Sequence, residues 1–169
     1  MTPDPGSSPA DDAIRLARRR WASGVAVVLV RDGAGLRGAT VTSFAVISLT
    51  PPLVMVSLDR EGRTATLVPE TGSFAVSVLE RSHEVLAERF AGRAPLADPS
   101  LTGIPHQVLP SQNAILVGAL AWFDCRVHSA HDGGDHVIVV GRVENVAVGE
   151  DTDDPLLYYE GRYRSLEVP

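Results

Sequence analysis

The chain has 169 residues, of which 44% are hydrophobic and 21% charged, and its net charge is −6 at pH 7. This length and composition indicate one folded domain and exclude a disordered chain. No apolar run approaches the roughly 20 residues of a membrane-spanning helix, the N-terminus lacks a secretion signal, and the negative charge disfavours nucleic acid and anionic membranes as partners. We therefore expect a soluble, cytoplasmic protein.

The first element predicted along the chain is a helix that follows a short tail. Residues 1–8 are polar and contain proline and glycine, which is typical of a flexible terminus. Ser8 can cap a helix, Pro9 suits its first turn, and Gly24 closes the stretch that follows. The sequence thus predicts a tail over 1–8 and a helix from Pro9 towards Gly24, within a single domain over 9–169.

Three strands are predicted next, because three segments rich in β-branched residues are separated by turn-forming ones. These segments cover residues 25–30, 39–49 and 53–59. The glycines between the first two, over 33–38, match the dinucleotide-binding pattern GxGxxG. That motif needs a helix directly after it, whereas here a strand-forming segment follows, so we interpret the glycines as a hairpin loop.

The second half of the chain is also dominated by predicted strands. A strand over 73–79 lies between two short predicted helices, one within 64–70 and one within 82–91, and a proline-rich irregular segment covers 93–113. Two long strands follow, over 114–130 and 136–148, and form a hairpin around the glycines and aspartates between them. The fold class predicted is mainly β and antiparallel, a barrel with a few short flanking helices.

No catalytic nucleophile and no metal site emerges from the sequence. Candidate metal ligands are His128, His131, His136, Asp132, Asp135 and Cys125, but strand alternation points Cys125 and His128 to opposite sides and the aspartates fit a turn. His131 and His136 then lie at the two ends of this turn, where a cross-strand pair is the simpler interpretation. The single cysteine excludes an internal disulfide, and it lies in an apolar run typical of an unreactive packing residue.

Two polar groupings remain as candidate binding sites. Thr40, Thr42 and Ser43 place three hydroxyl groups on an otherwise apolar strand, which indicates either a solvated face or a ligand-binding edge. Arg63 and Thr64 follow a strand at the start of a predicted helix, where a guanidinium, a hydroxyl and helix amides together can bind an anion. A helix cap beside a surface arginine is the alternative for this pair.

Five segments, taken in order, resemble the short-chain flavin reductases. Residues 38–58 resemble the family's glycine followed by Thr-x-Asn-Ser-Phe and Ser-Leu-x-Pro-Pro-Leu, and 73–79 resemble its Phe-x-Val-Asn-x-Leu strand. The short helix ending in Phe-Ala is similar to 86–92, the Gly-Asp-His hairpin to 124–143, and the closing Pro-Leu-x-Tyr and Gly-x-Tyr to 155–163. Thr42 and Ser77 stand where the family's patterns have asparagine.

The resemblance implies an FMN-binding split barrel, normally a homodimer, that reduces FMN or FAD with NADH or NADPH and passes the reduced flavin to a partner monooxygenase. It assigns two groups of residues. The flavin would be bound by Thr40, Val41, Thr42, Ser43, Ser57, Arg63, Thr64 and Phe90. The nicotinamide would meet His136 and Tyr163.

Two alternatives stay open beside the reductase. One is an enzyme of the same barrel that keeps a bound flavin or deazaflavin and acts on an organic substrate, and the other is a non-catalytic flavin-binding domain. Hydride transfer between nicotinamide and flavin needs no protein nucleophile, because the cofactors carry the chemistry. The missing catalytic groups therefore agree with a flavin reductase. With aromatic residues at only 5%, we do not expect a deep aromatic cage around the flavin ring.

Overall fold

Short helices and twelve strands make up the computed structural model, which describes residues 9–92, 98–149 and 154–166. The helices are α1 (Pro9–Arg18), α2 (Arg63–Thr71) and α3 (Glu84–Phe90), and a 3₁₀ turn covers Arg81–His83. The strands are β1 (Ser23–Gly24), β2 (Ala26–Asp32), β3 (Gly35–Val41), β4 (Ala45–Leu49), β5 (Pro52–Asp59), β6 (Ser73–Val78), β7 (His106–Val108), β8 (Ala114–Leu116), β9 (Ala121–Gly133), β10 (His136–Val148), β11 (Leu157–Tyr159) and β12 (Arg162–Arg164). The predicted tail over 1–8 lies outside the described residues.

Seven of the strands form one antiparallel sheet in the order β3-β2-β6-β9-β10-β5-β4. Two small sheets, β1-β11-β12 and β7-β8, lie beside it. The predicted fold class, mainly β and antiparallel with a few short helices, is confirmed. None of the described helices is long and apolar enough to cross a membrane.

The large sheet curves around a core. Val28 of β2, Val56 of β5, Phe74 of β6 and Val139 of β10 are fully buried in one cluster, together with Val68 of α2. Strands that are distant in the sheet order thus pack their side chains together, which requires a strongly bent sheet. The opposite face of β2 is buried as well, in a second cluster beneath α3. Both faces of β2 are covered, which explains its unbroken apolar sequence.

Two predicted hairpins are confirmed. The loop between β2 and β3 contains Gly33 at φ 61°, and β3 begins at Gly35, so the GxGxxG match opens a strand and no helix. The hairpin of β9 and β10 has 13 residues in each strand and turns at Gly134, whose φ is 79°. A positive φ at both turns explains why glycine is found there.

Two segments predicted as single strands are each divided in the structure. Residues 39–49 break after Val41, because the Ser43 side chain hydrogen-bonds to the backbone of Ser57 and takes this segment out of the regular strand. Residues 114–130 break at 117–120, where Gly118 has a φ of 78° and the chain passes from the small β7-β8 sheet to β9. Strand propensity alone predicted neither interruption.

The first helix is shorter than predicted. It ends at Arg18, and Ser23 and Gly24 instead pair with Tyr158 and Leu157 of β11. Tertiary pairing with a strand from the other end of the chain overrides the local helical signal there. The proline-rich segment contains a strand, because 106–108 form β7; its residues 93–97 lie outside the described residues.

Candidate functional site

A cavity of about 1060 Å³ opens where the end of β3, the start of α2, the end of α3, the β9–β10 hairpin and the C-terminal strands meet. Every residue predicted for a flavin or nicotinamide role lines it. These are Thr40, Val41, Thr42, Ser43, Ser57, Arg63, Thr64, Phe90, His136 and Tyr163. Residues separated by up to 123 positions in the sequence (163 minus 40) are therefore brought to one place by the fold.

The hydroxyl-rich segment is not a simple solvated strand face. Thr40 Oγ1 donates to the carbonyl of Ala87 at 2.8 Å, and Ser43 Oγ donates to the Ser57 carbonyl at 3.0 Å while accepting from the Ser57 amide at 2.9 Å. Both hydroxyls are part-buried, whereas Thr42 is exposed. Thr40 and Ser43 therefore fix the cavity wall, and Thr42 lines the cavity with an exposed side chain.

A cationic region forms at the start of α2. Arg63 is the first residue of this helix, and Gly62 caps it with no side-chain hydrogen bond among the described residues. The earlier alternative of Thr64 as the helix cap is wrong, because Thr64 lies inside the helix and is buried. An uncapped helix start with an arginine beside it is a favourable environment for an anion.

Arg63 is held in place by Asp32, a residue that the sequence analysis did not single out. The Arg63 Nη2 and Nε atoms lie 2.6 and 3.0 Å from the Asp32 carboxylate, and Arg37 Nε donates to the same group at 2.9 Å. These hydrogen bonds, from Arg63 first and Arg37 second, lower the pKa of Asp32 from 3.8 to about 2. Two guanidinium groups that line the cavity thus share one carboxylate.

Aromatic side chains gather at the cavity despite their low number in the chain. Trp21, Phe90, Tyr158, Tyr159 and Tyr163 line it, five of the nine aromatic residues. The ring of Phe90 packs directly on the backbone of β3, because a Cβ atom at Gly38 would lie 2.6 Å from it. Tyr158 and Tyr163 contact each other edge to face at 5.4 Å. Overall composition gave no sign of this local concentration.

His136 reaches the cavity from the tip of the β9–β10 hairpin. Its Nδ1 atom lies 2.7 Å from the Asp135 carboxylate, and this hydrogen bond lowers the pKa of Asp135. The predicted cross-strand pair of His131 and His136 is wrong, since His136 pairs with Gly133 and His131 with Ile138. The turn is tighter than the sequence suggested, so the two histidines belong to ladder pairs that lie two positions apart.

Cys125 and the metal-binding residue types were the other chemical candidates of the sequence. Burial raises the pKa of the Cys125 thiol to about 12, so this cysteine is not a nucleophile at neutral pH. No group of three or more metal-binding side chains is found in the part of the chain that the structure describes. Ser77, where the family pattern has asparagine, is buried and accepts a hydrogen bond from the Leu116 amide at 3.0 Å.

Comparison with known proteins identifies the family of this chain. The flavin reductase like domain matches residues 18–167. The reductase component of 4-hydroxyphenylacetate 3-monooxygenase from Thermus thermophilus is 39% identical, covering 94% of this chain and 98% of its own. An NADH-dependent flavin reductase from Rhodococcus sp is 36% identical over 92% of this chain and 86% of its own.

A solved structure is also similar to this chain. An NADH:FAD oxidoreductase of Streptomyces globisporus, in complex with NAD and FAD fragments, superposes with a TM-score of 0.81 at 31% identity, covering 93% of each chain. With a family match over nearly the whole length, this chain belongs to the flavin reductase like family. The resemblance drawn from its five sequence segments is confirmed.

The shared carboxylate predicts how stability depends on pH. Because the pKa of Asp32 is lower in the folded chain, its ion pairs stabilise the fold above pH 3.8, and this contribution is lost as the pH falls through about 2. Asp32→Asn should therefore lower the free energy of unfolding at pH 7 and flatten its decline between about pH 4 and pH 2. Denaturant unfolding across this range measures both effects.

The exposed Glu61→Gln variant is the control, since it removes a nearby carboxylate that is not ion-paired to Arg63 in the structure. An acid decline in Asp32→Asn as steep as that of the wild type would contradict the assignment.

Proposed function

We propose that this protein is an NAD(P)H-dependent flavin reductase that supplies reduced flavin to a partner monooxygenase. The observation that carries the proposal is the meeting of all ten predicted binding residues in one cavity. The names of the relatives agree with it, because one is a monooxygenase reductase component and another an NADH-dependent flavin reductase. The partner is thus a monooxygenase that consumes reduced flavin.

The charge and the lining residues of the cavity suit a flavin mononucleotide. Arg63 and the uncapped start of α2 supply a cationic end for the ribityl phosphate, with Thr64 and Ser57 beside it. Val41, Thr42 and the backbone of 40–43 offer hydrogen-bonding groups to a polar ring edge, and Phe90 borders the ring. When bound, a flavin supplies the ring that accepts a hydride from reduced nicotinamide.

The protein contributes orientation to this reaction. A hydride passes between two planar rings only when the reacting atoms are held at roughly 3 to 3.5 Å. Phe90 and the end of β3 form one wall of the cavity, while His136 and Tyr163 lie at its hairpin and C-terminal sides. We assign His136 and Tyr163 to the nicotinamide, where an imidazole provides a hydrogen-bonding group and a planar packing surface.

A homodimeric split barrel is the assembly we propose. The curved seven-stranded sheet supports the barrel, and its edge strand β4 supports an interface. Val46, Ile47 and Leu49 of β4 are exposed, Leu49 at 83%, and exposed apolar edge strands tend to pair or be covered. A second copy of the chain is the occupant expected from the family resemblance, and C2 dimers are the commonest closed assembly.

The flavin and the nicotinamide are best identified by turnover. FMN is the flavin we propose, because a single phosphate suits the start of α2, and NADH is the proposed donor because relatives carry it in their names. Purified protein should oxidise NADH, seen as loss of the reduced-nicotinamide absorbance, only when flavin is added.

Light scattering of the active preparation should give twice the chain mass.

Other results of this assay identify the alternatives. Oxidation supported only by a flavin that co-purifies with the protein would indicate a bound-flavin enzyme. Flavin binding without oxidation of NADH or NADPH would indicate a non-catalytic domain. Either result contradicts the reductase assignment.

Arg63→Ala tests the phosphate end of the site. Losing a charge-assisted hydrogen bond to the phosphate should weaken FMN binding by about 1.5 to 3 kcal/mol. Riboflavin lacks the phosphate and should bind both proteins about equally. Fluorescence titration with the two flavins measures this difference, and an equal loss for FMN and riboflavin would show that Arg63 acts on the fold.

His136→Ala tests the nicotinamide end. The variant should raise the KM for NADH or lower kcat while leaving flavin affinity and melting temperature nearly unchanged. His131→Ala is the matched control, because His131 lies on the same hairpin and contacts Ser129 at 2.9 Å but is not among the described residues that line the cavity. Identical steady-state kinetics for the two variants would reject a specific role for His136.

A further inference from the structure

Arg60 connects the end of β5 to the tip of the β9–β10 hairpin. Its backbone amide donates to the Asp135 carbonyl at 3.0 Å, its Nε to the Gly134 carbonyl at 2.9 Å, and its Nη2 to the His136 carbonyl at 3.1 Å. Three consecutive carbonyl groups of the hairpin thus accept hydrogen bonds from one residue. We call these four residues, Arg60 and 134–136, the hairpin clamp.

Asp132 joins the clamp from the other strand of the hairpin. Its Oδ1 atom accepts a hydrogen bond from the Gly134 amide at 3.0 Å and is paired with Arg60 Nη2. A single exposed ion pair contributes little to stability. Here, however, the same guanidinium also binds two backbone carbonyls, so the contacts together fix the direction of the turn.

The hairpin tip needs such a contact because the sheet ends beneath it. The last ladder pair between β10 and β5 is His136 with Asp59, and residues 131–135 around the turn are exposed. The turn also contains Gly134 in the left-handed region, the residue type with the greatest backbone freedom. Beyond this ladder pair, the Arg60 amide holds the Asp135 carbonyl, and the Arg60 side chain adds the contacts to Gly134 and His136.

The clamp acts on His136 from both sides. It holds the carbonyls of Asp135 and His136, and the Asp135 carboxylate in turn binds the His136 ring at Nδ1. His136 lines the cavity, whereas Arg60 is not among the described residues that do. The side-chain contacts of Arg60 therefore connect it to the cavity through the position of His136.

We propose that Arg60 is a positioning residue for the nicotinamide: its side chain fixes the hairpin tip and so sets the His136 ring against the bound dinucleotide. This inference rests on the proposed function, because it takes His136 as the group that meets the nicotinamide. A ring displaced by a fraction of an ångström still permits binding but aligns the hydride donor poorly.

Arg60→Met is the test variant, since it keeps the length of the side chain and the backbone amide but removes the guanidinium donors. It should raise the KM for NADH or lower kcat by about three- to tenfold, below the roughly 100-fold that a 1 Å misplacement can cost. Flavin affinity should not change. Arg60→Lys, which keeps one cationic donor, should recover part of the loss.

The matched control is Arg126→Met on the same hairpin. Arg126 is exposed and lies 3.9 Å from Glu144, away from the tip. A merely structural role for Arg60 would lower the melting temperature without separating nicotinamide kinetics from flavin affinity. If Arg60→Met has the kinetics of Arg126→Met, the proposal is overturned.

A double-mutant cycle with His136→Ala decides whether Arg60 acts through this histidine. If it does, Arg60→Met should have no further effect on NADH kinetics once His136 is alanine. Additive losses would mean that Arg60 acts on the dinucleotide by itself and would overturn the positioning role.

Amide hydrogen exchange tests the hairpin clamp independently of the proposed function. If His136→Ala leaves NADH kinetics unchanged, the nicotinamide role of His136 fails, and with it the link from the clamp to catalysis. Amide exchange at Gly134 and His136 then decides the clamp alone. Faster exchange in Arg60→Met than in Arg126→Met supports it, and equal exchange overturns it.

Discussion

The paired hydrogen bonds between Ser43 and Ser57 hold the cavity wall in place. In the sheet order β3 is the first strand and β5 the sixth, so ladder hydrogen bonds do not join them. Ser43 donates to the carbonyl and accepts from the amide of the same residue, as a strand neighbour would, and so brings the end of β3 against β5. The residues proposed for the flavin lie on both sides of this contact.

The same contact explains why a strand-like sequence is interrupted at the site. A continuous strand over 39–49 would carry its side chains past β5 in one regular ladder. The break at 42–44 instead leaves Thr42 exposed and places the last residues of β3 beside the start of α2. The polar residues that interrupt the apolar pattern are therefore the residues that shape the cavity.

Charge is distributed unevenly in a chain whose net charge is negative. Arg37 and Arg63 meet at Asp32, so the three groups together carry one positive charge. The phosphate that we propose for Arg63 would share that guanidinium with the Asp32 carboxylate, which limits the electrostatic gain of binding. A weaker attraction for the phosphate suits a flavin that must leave after reduction. Two arginines without a carboxylate between them would bind a dianion more tightly.

The sequence predicted those features that local patterns encode. Alternating and β-branched runs located the strands, and glycine-containing turns located both hairpins, because φ and side-chain sterics act within a few residues. The family resemblance assigned ten residues to ligand binding, eight of them within the five segments, and all ten line the cavity. Sequence patterns did not show Asp32 or Arg60, because each acts by pairing with residues that only the folded sheet brings near.

The errors have the same origin. The helix that ends at Arg18 and the register that separates His131 from His136 are both decided by strand pairing, the first with β11 and the second within β9–β10. Local propensity is weak compared with such pairing. Side chains that support a site from outside are thus the part least accessible to sequence analysis.

Orientation is the main contribution that this site makes to hydride transfer. Cys125 is buried with a raised pKa, and among the described residues that line the cavity no histidine other than His136 is found. With the cofactors carrying the chemistry, the rate depends on how firmly two rings are aligned. One wall is set by the buried core under β3 and Phe90, while the other rests on an exposed hairpin tip held largely by Arg60. We therefore expect the side proposed for the nicotinamide to be the more adjustable half of the site, where changes outside the cavity can alter turnover without altering flavin binding.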